Sequence, residues 1–146
     1  MAHKVRAIDT ADYILKRLGP MSAMKLQKLV YYSQVWTVVW TDNELFSDPI
    51  EAWADGPVVR SLYEKHRGHF RIGKGFFGGD TERISEEQKQ ILKKVLSFYG
   101  GKDAQWLSNL THMEAPWKNA RVGLSPGDRG SNVISIESIA SYYSSL

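Results

Sequence analysis

The sequence predicts a mainly α fold: a compact single domain over residues 1–146, with about six helices packed around a central apolar helix at about 23–41. The chain has 146 residues, of which 42% are hydrophobic and 24% charged, as in an ordinary globular domain. Helix start and stop signals recur along its length. A pattern that suits a pair of strands occurs near residues 45–53, where we expect a small β-hairpin.

The first two predicted helices are separated by a Gly-Pro pair at residues 19–20. Asp9 suits the N-cap of a first helix, TADYILKRL, which this pair would end. Ser22 suits the N-cap of a second helix at residues 23–41, whose apolar residues cover most of its circumference. A helix that is apolar nearly all round is normally buried. This segment is therefore predicted to be the central helix.

The segment IEAWADGPVV, residues 50–59, allows two interpretations of its acid. The hairpin is predicted to pair residues 45–46 with residues 50–53. Pro57 suits the first position of a third helix at 57–66, and Asp55 would then begin that helix. In the other interpretation, the Asp55 carboxylate lies at the mouth of a pocket and contacts a partner.

The C-terminal half shows clear capping signals. Ser85 and Gln88 form a capping box for a fourth helix, EEQKQILKKVLSFY, which Gly100 ends. Asp103 suits the N-cap of a fifth helix, AQWLSNLTHME, and Pro116 opens a short helical turn. A loop, VGLSPGDRGSNV, then leads through a short strand into a last amphipathic helix within ISIESIASYYSSL.

Composition excludes several classes of protein. The chain has no cysteine, which rules out disulfides, thiolate zinc sites and cysteine nucleophiles. Its longest uncharged segment, LVYYSQVWTVVWT, has 13 residues, whereas a membrane span needs about 20. The N-terminus lacks the apolar core of a signal peptide. We therefore expect a cytoplasmic protein that does not enter a membrane.

No motif predicts an enzyme, a cofactor or a bound metal. GHFRIGKG nearly matches the phosphate-binding loop, but Gly75 replaces the magnesium-binding Ser/Thr and no strand precedes it. GLSPG matches the nucleophile elbow, yet no histidine follows it. His66 and His69 are three residues apart, but Gly68 between them indicates that the helix has ended, which disfavours a metal site. His112 and Glu114 form either a polar pair at a cleft or a solvated helix end.

A basic, aromatic stretch follows the third predicted helix. Residues 60–74 contain Glu64 as their one acid, and their cations are Arg60, Lys65, Arg67, Arg71 and Lys74. Phe76 and Phe77 lie between glycines just beyond it. This pair either faces a protein partner or folds back onto the core. The net charge of +3 is too small to indicate nucleic acid by itself, but the stretch 60–77 leaves a nucleic-acid-binding regulator as an alternative.

Four segments in this order resemble the Panacea domain, also called the SocA-like or GepA-like antitoxin domain, which is common in bacteria and prophages. They are MKLQKLVYYSQVW at 24–36, IEAWADGPVVRSLYE at 50–64, LSNLTHMEAPW at 107–117 and ISIESIASYY at 134–143. The resemblance implies a small, mostly helical antitoxin of a two-gene toxin–antitoxin system, which neutralises a protein toxin by direct contact and is not an enzyme. The toxin is expected from the adjacent gene. An adaptor that delivers its partner to a protease remains a further alternative.

The motif residues also have a structural interpretation. Leu26, Leu29, Trp36 and Trp53 are expected in the core. Tyr31 and Tyr32 are adjacent and point about 100° apart on a helix, so one of the two is expected to face solvent or a partner. The expected contact surface combines the basic aromatic loop with a cleft. Its candidate residues are Tyr31, Asp55, Tyr63, Arg71, Lys74, Phe76, Phe77, His112 and Trp117.

Overall fold

The computed structural model describes residues 4–146. Within them it contains seven α-helices, a 3₁₀ turn at Thr81–Arg83 and two small antiparallel sheets. The helices are α1 (Ala7–Leu18), α2 (Ala23–Thr41), α3 (Arg60–His66), α4 (Glu86–Tyr99), α5 (Ala104–Met113), α6 (Ala115–Ala120) and α7 (Ile136–Tyr143). The strands are β1 (Met21–Ser22), β2 (Ile50–Trp53), β3 (Gly56–Val59) and β4 (Arg71–Ile72).

Helix α2 lies at the centre of the fold, as predicted. It packs against α1, α4, α5, α7 and β3, and buried residues occur on every side of it. Its N-terminus is capped by Ser22, whose hydroxyl accepts a hydrogen bond from the Lys25 amide at 3.1 Å. Leu26 and Leu29 are fully buried, whereas Trp36 and Trp53 are only half-buried.

The hairpin is present and includes the predicted strand at residues 50–53, but the prediction that residues 45–46 form its other strand was wrong. β2 pairs with β3 in the register Ile50↔Val59 to Trp53↔Gly56. Residues 45–46 instead form a buried loop, in which the Gln34 amide accepts from the Leu45 N–H at 2.6 Å and donates to the Phe46 carbonyl at 2.7 Å. The side chain of Gln34 thus satisfies backbone groups that a strand partner would otherwise satisfy.

The third helix begins three residues later than predicted. Residues 56–59 form β3, and α3 starts at Arg60 with Val59 as its N-cap. All of β3 is buried, and its β-branched Val58 and Val59 suit a strand, so packing overrides the preference of Pro57 for a helix start. Asp55 lies in the hairpin turn. The interpretation of Asp55 as the beginning of a helix was therefore wrong.

Helix α1, in contrast, begins earlier than predicted. Its N-cap is Arg6, and Asp9 is the third helical residue rather than the cap. The Asp9 carboxylate accepts hydrogen bonds from the Arg6 amide at 2.8 Å and from the Asp80 amide at 2.7 Å. A carboxylate in the first turn of a helix, reaching back to the N-cap, is the second half of a capping box.

Capping in the C-terminal half agrees with the sequence. The Ser85 hydroxyl accepts from the Gln88 amide and the Gln88 side chain accepts from the Ser85 amide, which confirms the capping box. The Asp103 carboxylate accepts from the Trp106 amide at 2.8 Å, and Pro116 lies in the first turn of α6. None of the helices within residues 4–146 is long and apolar enough to cross a membrane.

Candidate functional site

Gln27 joins the central helix to the hairpin. Its side-chain carbonyl accepts from the Val59 N–H at 2.8 Å, and its side-chain amide donates to the Val59 carbonyl at 3.2 Å. The same amide nitrogen lies 3.0 Å from His66 Nε2. Because an amide NH₂ is only a donor, His66 Nε2 accepts, and the imidazole is neutral with its proton on Nδ1. Burial lowers the pKa of His66, in agreement with this neutral form.

Lys28, the next residue of α2, lies under the hairpin. Its side chain is 0% exposed, and its Nζ atom has no hydrogen-bond partner within the described residues. Burial lowers the pKa of Lys28 to about 8, against the nearby negative charge of Asp55, which acts to raise it. A buried ammonium group without a partner is unfavourable by several kcal/mol, so the fold alone does not account for this residue.

Gly56 makes room for Lys28. A Cβ atom added at Gly56 would lie 2.5 Å from Lys28 Cε and 3.3 Å from Nζ, so the lysine side chain would have to shift. The φ angle of Gly56 is +123°, a conformation that favours glycine. The lysine and glycine of the two quoted segments 24–36 and 50–64 are therefore coupled by direct packing.

A pocket of about 710 Å³ opens beside Gln27 and Lys28. Its walls come from the N-terminal half of α2, the hairpin, α3 and the loop at residues 129–131. Such a volume lies within the range of ligand-binding pockets. Its polar lining residues are Gln27, Lys28, Asp55, Arg60, Tyr63, His66, Arg129 and Ser131. Two of the predicted site residues, Asp55 and Tyr63, are thus brought together here.

Arg60 is already paired within this pocket wall. Its guanidinium group donates two hydrogen bonds of 2.9 Å to the Glu51 carboxylate and lies 5.4 Å from the centre of the Trp53 ring. The hydrogen bonds from Arg60 lower the pKa of Glu51 despite its partial burial. Trp53 Nε1 donates to the same carboxylate at 2.8 Å, which fixes the aromatic wall of the pocket.

His112 and Trp117 brace the hairpin rather than line the pocket. Their rings stack with centroids 4.2 Å apart, and Trp117 Nε1 donates to the Trp53 carbonyl at 2.8 Å. Burial, together with the positive charge of Lys28, lowers the pKa of His112. The Ser108 hydroxyl donates to the Asp55 carbonyl at 2.7 Å. The four residues expected to form one cleft therefore fall into two groups. Asp55 and Tyr63 line the pocket, while His112 and Trp117 support it from α5 and α6.

A second buried polar cluster surrounds Glu114. Its carboxylate accepts from the Tyr32 hydroxyl at 2.5 Å and the Tyr143 hydroxyl at 2.8 Å, and the hydroxyls of Tyr31 and Tyr143 lie 3.0 Å apart. Tyr31 and Tyr32 are both fully buried, so the expectation that one of them faces solvent or a partner was wrong. Glu114 is also buried and does not form a polar pair with His112.

The basic aromatic loop lies beside the pocket. The Ala23 amide donates to the Phe70 carbonyl at 2.9 Å, and Ala23 itself lines the pocket. Phe76 is exposed and packs edge-on against His69, whereas Phe77 is 6% exposed. The two alternatives for the phenylalanine pair are thus each realised by one residue: Phe77 folds onto the core and Phe76 faces solvent. Arg71 and Lys74 are exposed as well.

Lys28 and Gln27 were not recognised as site residues from the sequence. The available signal was a charged and a polar residue in consecutive positions of a helix otherwise predicted to be buried on nearly all sides. Such residues either pair with another element or remain unsatisfied. Within residues 4–146, no group of three or more metal-ligating side chains is placed to hold a metal ion.

Comparison with known proteins gives one match. The sequence model of the family "Antitoxin SocA-like, Panacea domain" matches residues 26–118, well over half of the chain. No curated protein and no solved structure matches the sequence significantly. The matched range contains Gln27, Lys28, the hairpin, α3 and the His112–Trp117 stack, whereas the pocket wall at residues 129–131 lies beyond it.

Proposed function

The chain belongs to the family of SocA-like antitoxins with a Panacea domain, and on this premise we propose that it neutralises a protein toxin by binding it directly. The toxin is the product of the adjacent gene in a two-gene system. The family match over residues 26–118 carries this proposal. Membership of an antitoxin family suggests a non-catalytic regulatory protein, so binding rather than catalysis is the expected activity.

The surface proposed to bind the toxin is called the docking face here. It comprises the pocket described above and the exposed loop residues Phe70, Arg71, Lys74 and Phe76. Phe70 is 80% exposed, and solvent-exposed aromatic side chains flanked by arginine are typical anchors of protein interfaces. A stable complex buries about 800 Å² on each partner, so the proposed docking face includes both the pocket and the adjoining loop.

The first test is co-expression. The adjacent open reading frame is induced with and without this protein, and the protein is then isolated by pull-down. We expect the neighbour to be toxic alone, harmless together with this chain, and recovered with it in a fixed ratio. Rescue without a complex would contradict direct binding. A toxin level that falls on co-expression would instead indicate an adaptor that delivers the toxin to a protease.

The second test maps the surface. Arg71→Ala combined with Phe76→Ala removes a cation and an aromatic ring from the docking face without touching the core. We expect the affinity for the toxin to fall at least about 30-fold, since interface hot spots contribute 2 kcal/mol or more. Phe98→Ala on α4 is the matched control, because Phe98 is 62% exposed but does not line the pocket. Weaker binding of the control alone would move the interface to α4.

Nucleic-acid binding is the second candidate function. The specific observation in its favour is that Phe70 lies exposed between exposed Arg67 and Arg71, an arrangement suited to base stacking and phosphate contact. Duplex DNA or transfer RNA binding that weakens steeply with salt would support it. No binding at about 50 mM salt would count against it, because electrostatic binding is strongest at low ionic strength.

A further inference from the structure

The unpaired ammonium group of Lys28 indicates what the pocket binds. We propose that the pocket between α2, the hairpin and α3 receives an acidic side chain of the partner protein, whose carboxylate pairs with Lys28 Nζ. This inference rests on the proposed function, because it assigns the chemistry of the contact between the antitoxin and its toxin.

Lys28 has no structural role that an apolar residue would not fill better. The residue lies in the second turn of a helix buried on all sides, and its side chain is fully buried without a hydrogen-bond partner within residues 4–146. A methionine there would pack equally well and would avoid the desolvation of a charge. An unsatisfied buried polar group that is retained in such a place points to a partner outside the free protein.

The local structure is built around this ammonium group. Gly56 leaves the space through which Lys28 passes, and the neighbouring Asp55 supplies a negative charge without forming a hydrogen bond to Nζ. Nζ lies beneath the hairpin turn, so the proposed contact with a carboxylate of the partner requires the exposed turn at Asp55 to move aside. The Ser108 hydroxyl holds this turn through a single hydrogen bond to the Asp55 carbonyl.

The balance of charge in the pocket favours an anion with one negative charge. The lining contains three cations, Lys28, Arg60 and Arg129, and one acid, Asp55. Arg60 is neutralised by Glu51. A carboxylate would pair with the one buried lysine and leave no excess charge. A phosphate dianion would need further donors, and the Val59 N–H is already bonded to Gln27.

The walls fit the stem of an acidic side chain. Trp53 and Tyr63 form an edge-to-face aromatic pair with centroids 4.8 Å apart, and Met24 and Val58 add apolar surface. Methylene groups gain by burial against such walls, while the carboxylate gains a charge-assisted hydrogen bond. The exposed Arg129 at the pocket edge offers a second cation to a neighbouring acid of the same partner.

The test uses the isolated protein and N-acetyl-glutamate amide as the probe. With ¹³Cε-labelled lysine, we expect the Lys28 resonance to shift and saturate at probe concentrations on the order of millimolar, and the Asp55 amide to shift with it. N-acetyl-glutamine amide, which has the same shape without the charge, should leave both unchanged. Lys28→Met should abolish the Asp55 shift, whereas Lys65→Met, which removes an exposed cation of α3, should preserve it.

Two results would overturn the inference. One is the absence of any Lys28 shift with the glutamate probe. The other is a saturable shift with inorganic phosphate but none with the glutamate probe at equal ionic strength, which would make this a phosphate site. A pull-down of the toxin separates this inference from the proposed function. If wild type binds the toxin and Lys28→Met binds it equally well, the inference fails while the proposed function stands. If wild type fails to bind, the proposed function fails.

Discussion

Two buried polar regions lie one helical turn apart on α2, and they differ in how they are satisfied. At Tyr32, a hydroxyl meets the Glu114 carboxylate, which also accepts from Tyr143. At Lys28, the ammonium group meets no hydrogen-bond partner within the described residues. A fully paired network can rigidify and specify a core. An unpaired charge only destabilises the free protein, so its explanation has to come from function.

The same contrast distinguishes the residues that support the hairpin from those of the proposed binding surface. Gln27 and Trp117 hold the hairpin in place through hydrogen bonds, and His112 stacks on Trp117, although His112 Nε2 has no hydrogen-bond partner within the described residues. Lys28, Asp55 and Arg129 line the same pocket, where Lys28 Nζ has no hydrogen-bond partner within the described residues. The strands of the hairpin are therefore held by their neighbours, while an unsatisfied cation lies beneath its exposed turn.

Among the variants that test this contrast, Gly56→Ala is expected to have the largest effect on the free energy of unfolding. The added Cβ would collide with Lys28 Cε at 2.5 Å and would force a positive φ on alanine. Overpacking and backbone strain together should lower the free energy of unfolding by about 4 kcal/mol, measured by urea denaturation. Gly101→Ala is the control, because its Cβ would meet open space without a positive φ.

A double mutant separates the two causes. In the background of Lys28→Ala, the collision is removed and only the backbone strain at residue 56 remains. Gly56→Ala should then destabilise by about 2 kcal/mol. Equal losses in both backgrounds would show that Lys28 does not occupy the space under the hairpin turn.

The second-largest expected effect is a gain of stability in the variant Lys28→Met. The folded pKa of Lys28 is about 8 and the ordinary value is 10.5, so the unfolded chain binds this proton more tightly. At neutral pH, the wild type is therefore destabilised by about 3 kcal/mol relative to a neutral residue. The stability of wild type should rise towards that of the variant as pH increases from about 8 to 10.5.

Denaturation of both proteins across this range tests the prediction. The other charged groups near Lys28, which are Asp55, Arg60 and Arg129, are common to both proteins and cancel in the difference. His66 and His112 have pKa values lowered by burial and do not titrate in this window. A Lys28→Met variant less stable than wild type at pH 7 would mean that the ammonium group is paired.

Part of this picture could be read from the sequence, because it depends on local chemistry. The caps at Ser22 and Asp103 and the capping box at Ser85 are decided within four residues, and each was predicted correctly. The pairing of the hairpin was not, because burial of residues 56–59 against α2 outweighs the local preference of Pro57.

The site itself depends on long-range packing. Nothing in the sequence near Lys28 tells whether its long side chain escapes to solvent or ends beneath a hairpin 28 residues further on. The prediction for Tyr31 and Tyr32 was wrong for the same reason. Helical geometry places the two side chains about 100° apart, but other elements cover α2 on both of those sides.

The third-largest expected effect on stability concerns the hydrogen-bonded cluster around Glu114. Tyr143→Phe removes one hydrogen bond to the Glu114 carboxylate and one partner of the Tyr31 hydroxyl. Loss of a hydrogen bond to a buried carboxyl group should lower the free energy of unfolding by about 2 kcal/mol. Tyr142→Phe on the same helix is the control, since Tyr142 is only half-buried and does not contact Glu114. Equal effects in the two variants would mean that the network adds no stability.

The smallest effect is a pH dependence of opposite sign to that of Lys28. Burial raises the pKa of Glu114, although the hydrogen bonds from Tyr32 and Tyr143 act to lower it. The folded state therefore holds this proton more tightly, and stability falls as pH rises from the ordinary value of 4.5 through the folded pKa. The stability of wild type relative to Glu114→Gln should fall over this range, and a rise would mean that the tyrosines hold the carboxylate charged.

Because the two slopes have opposite signs and lie in separate pH ranges, titrations of wild type and of the two variants distinguish the two clusters. The acidic fall belongs to Glu114 and must vanish in Glu114→Gln while persisting in Lys28→Met. The alkaline rise belongs to Lys28 and must do the reverse. Binding of the acidic partner should remove only the alkaline rise, since a carboxylate beside Lys28 Nζ restores its pKa towards the ordinary value, while the tyrosine network is already complete without it.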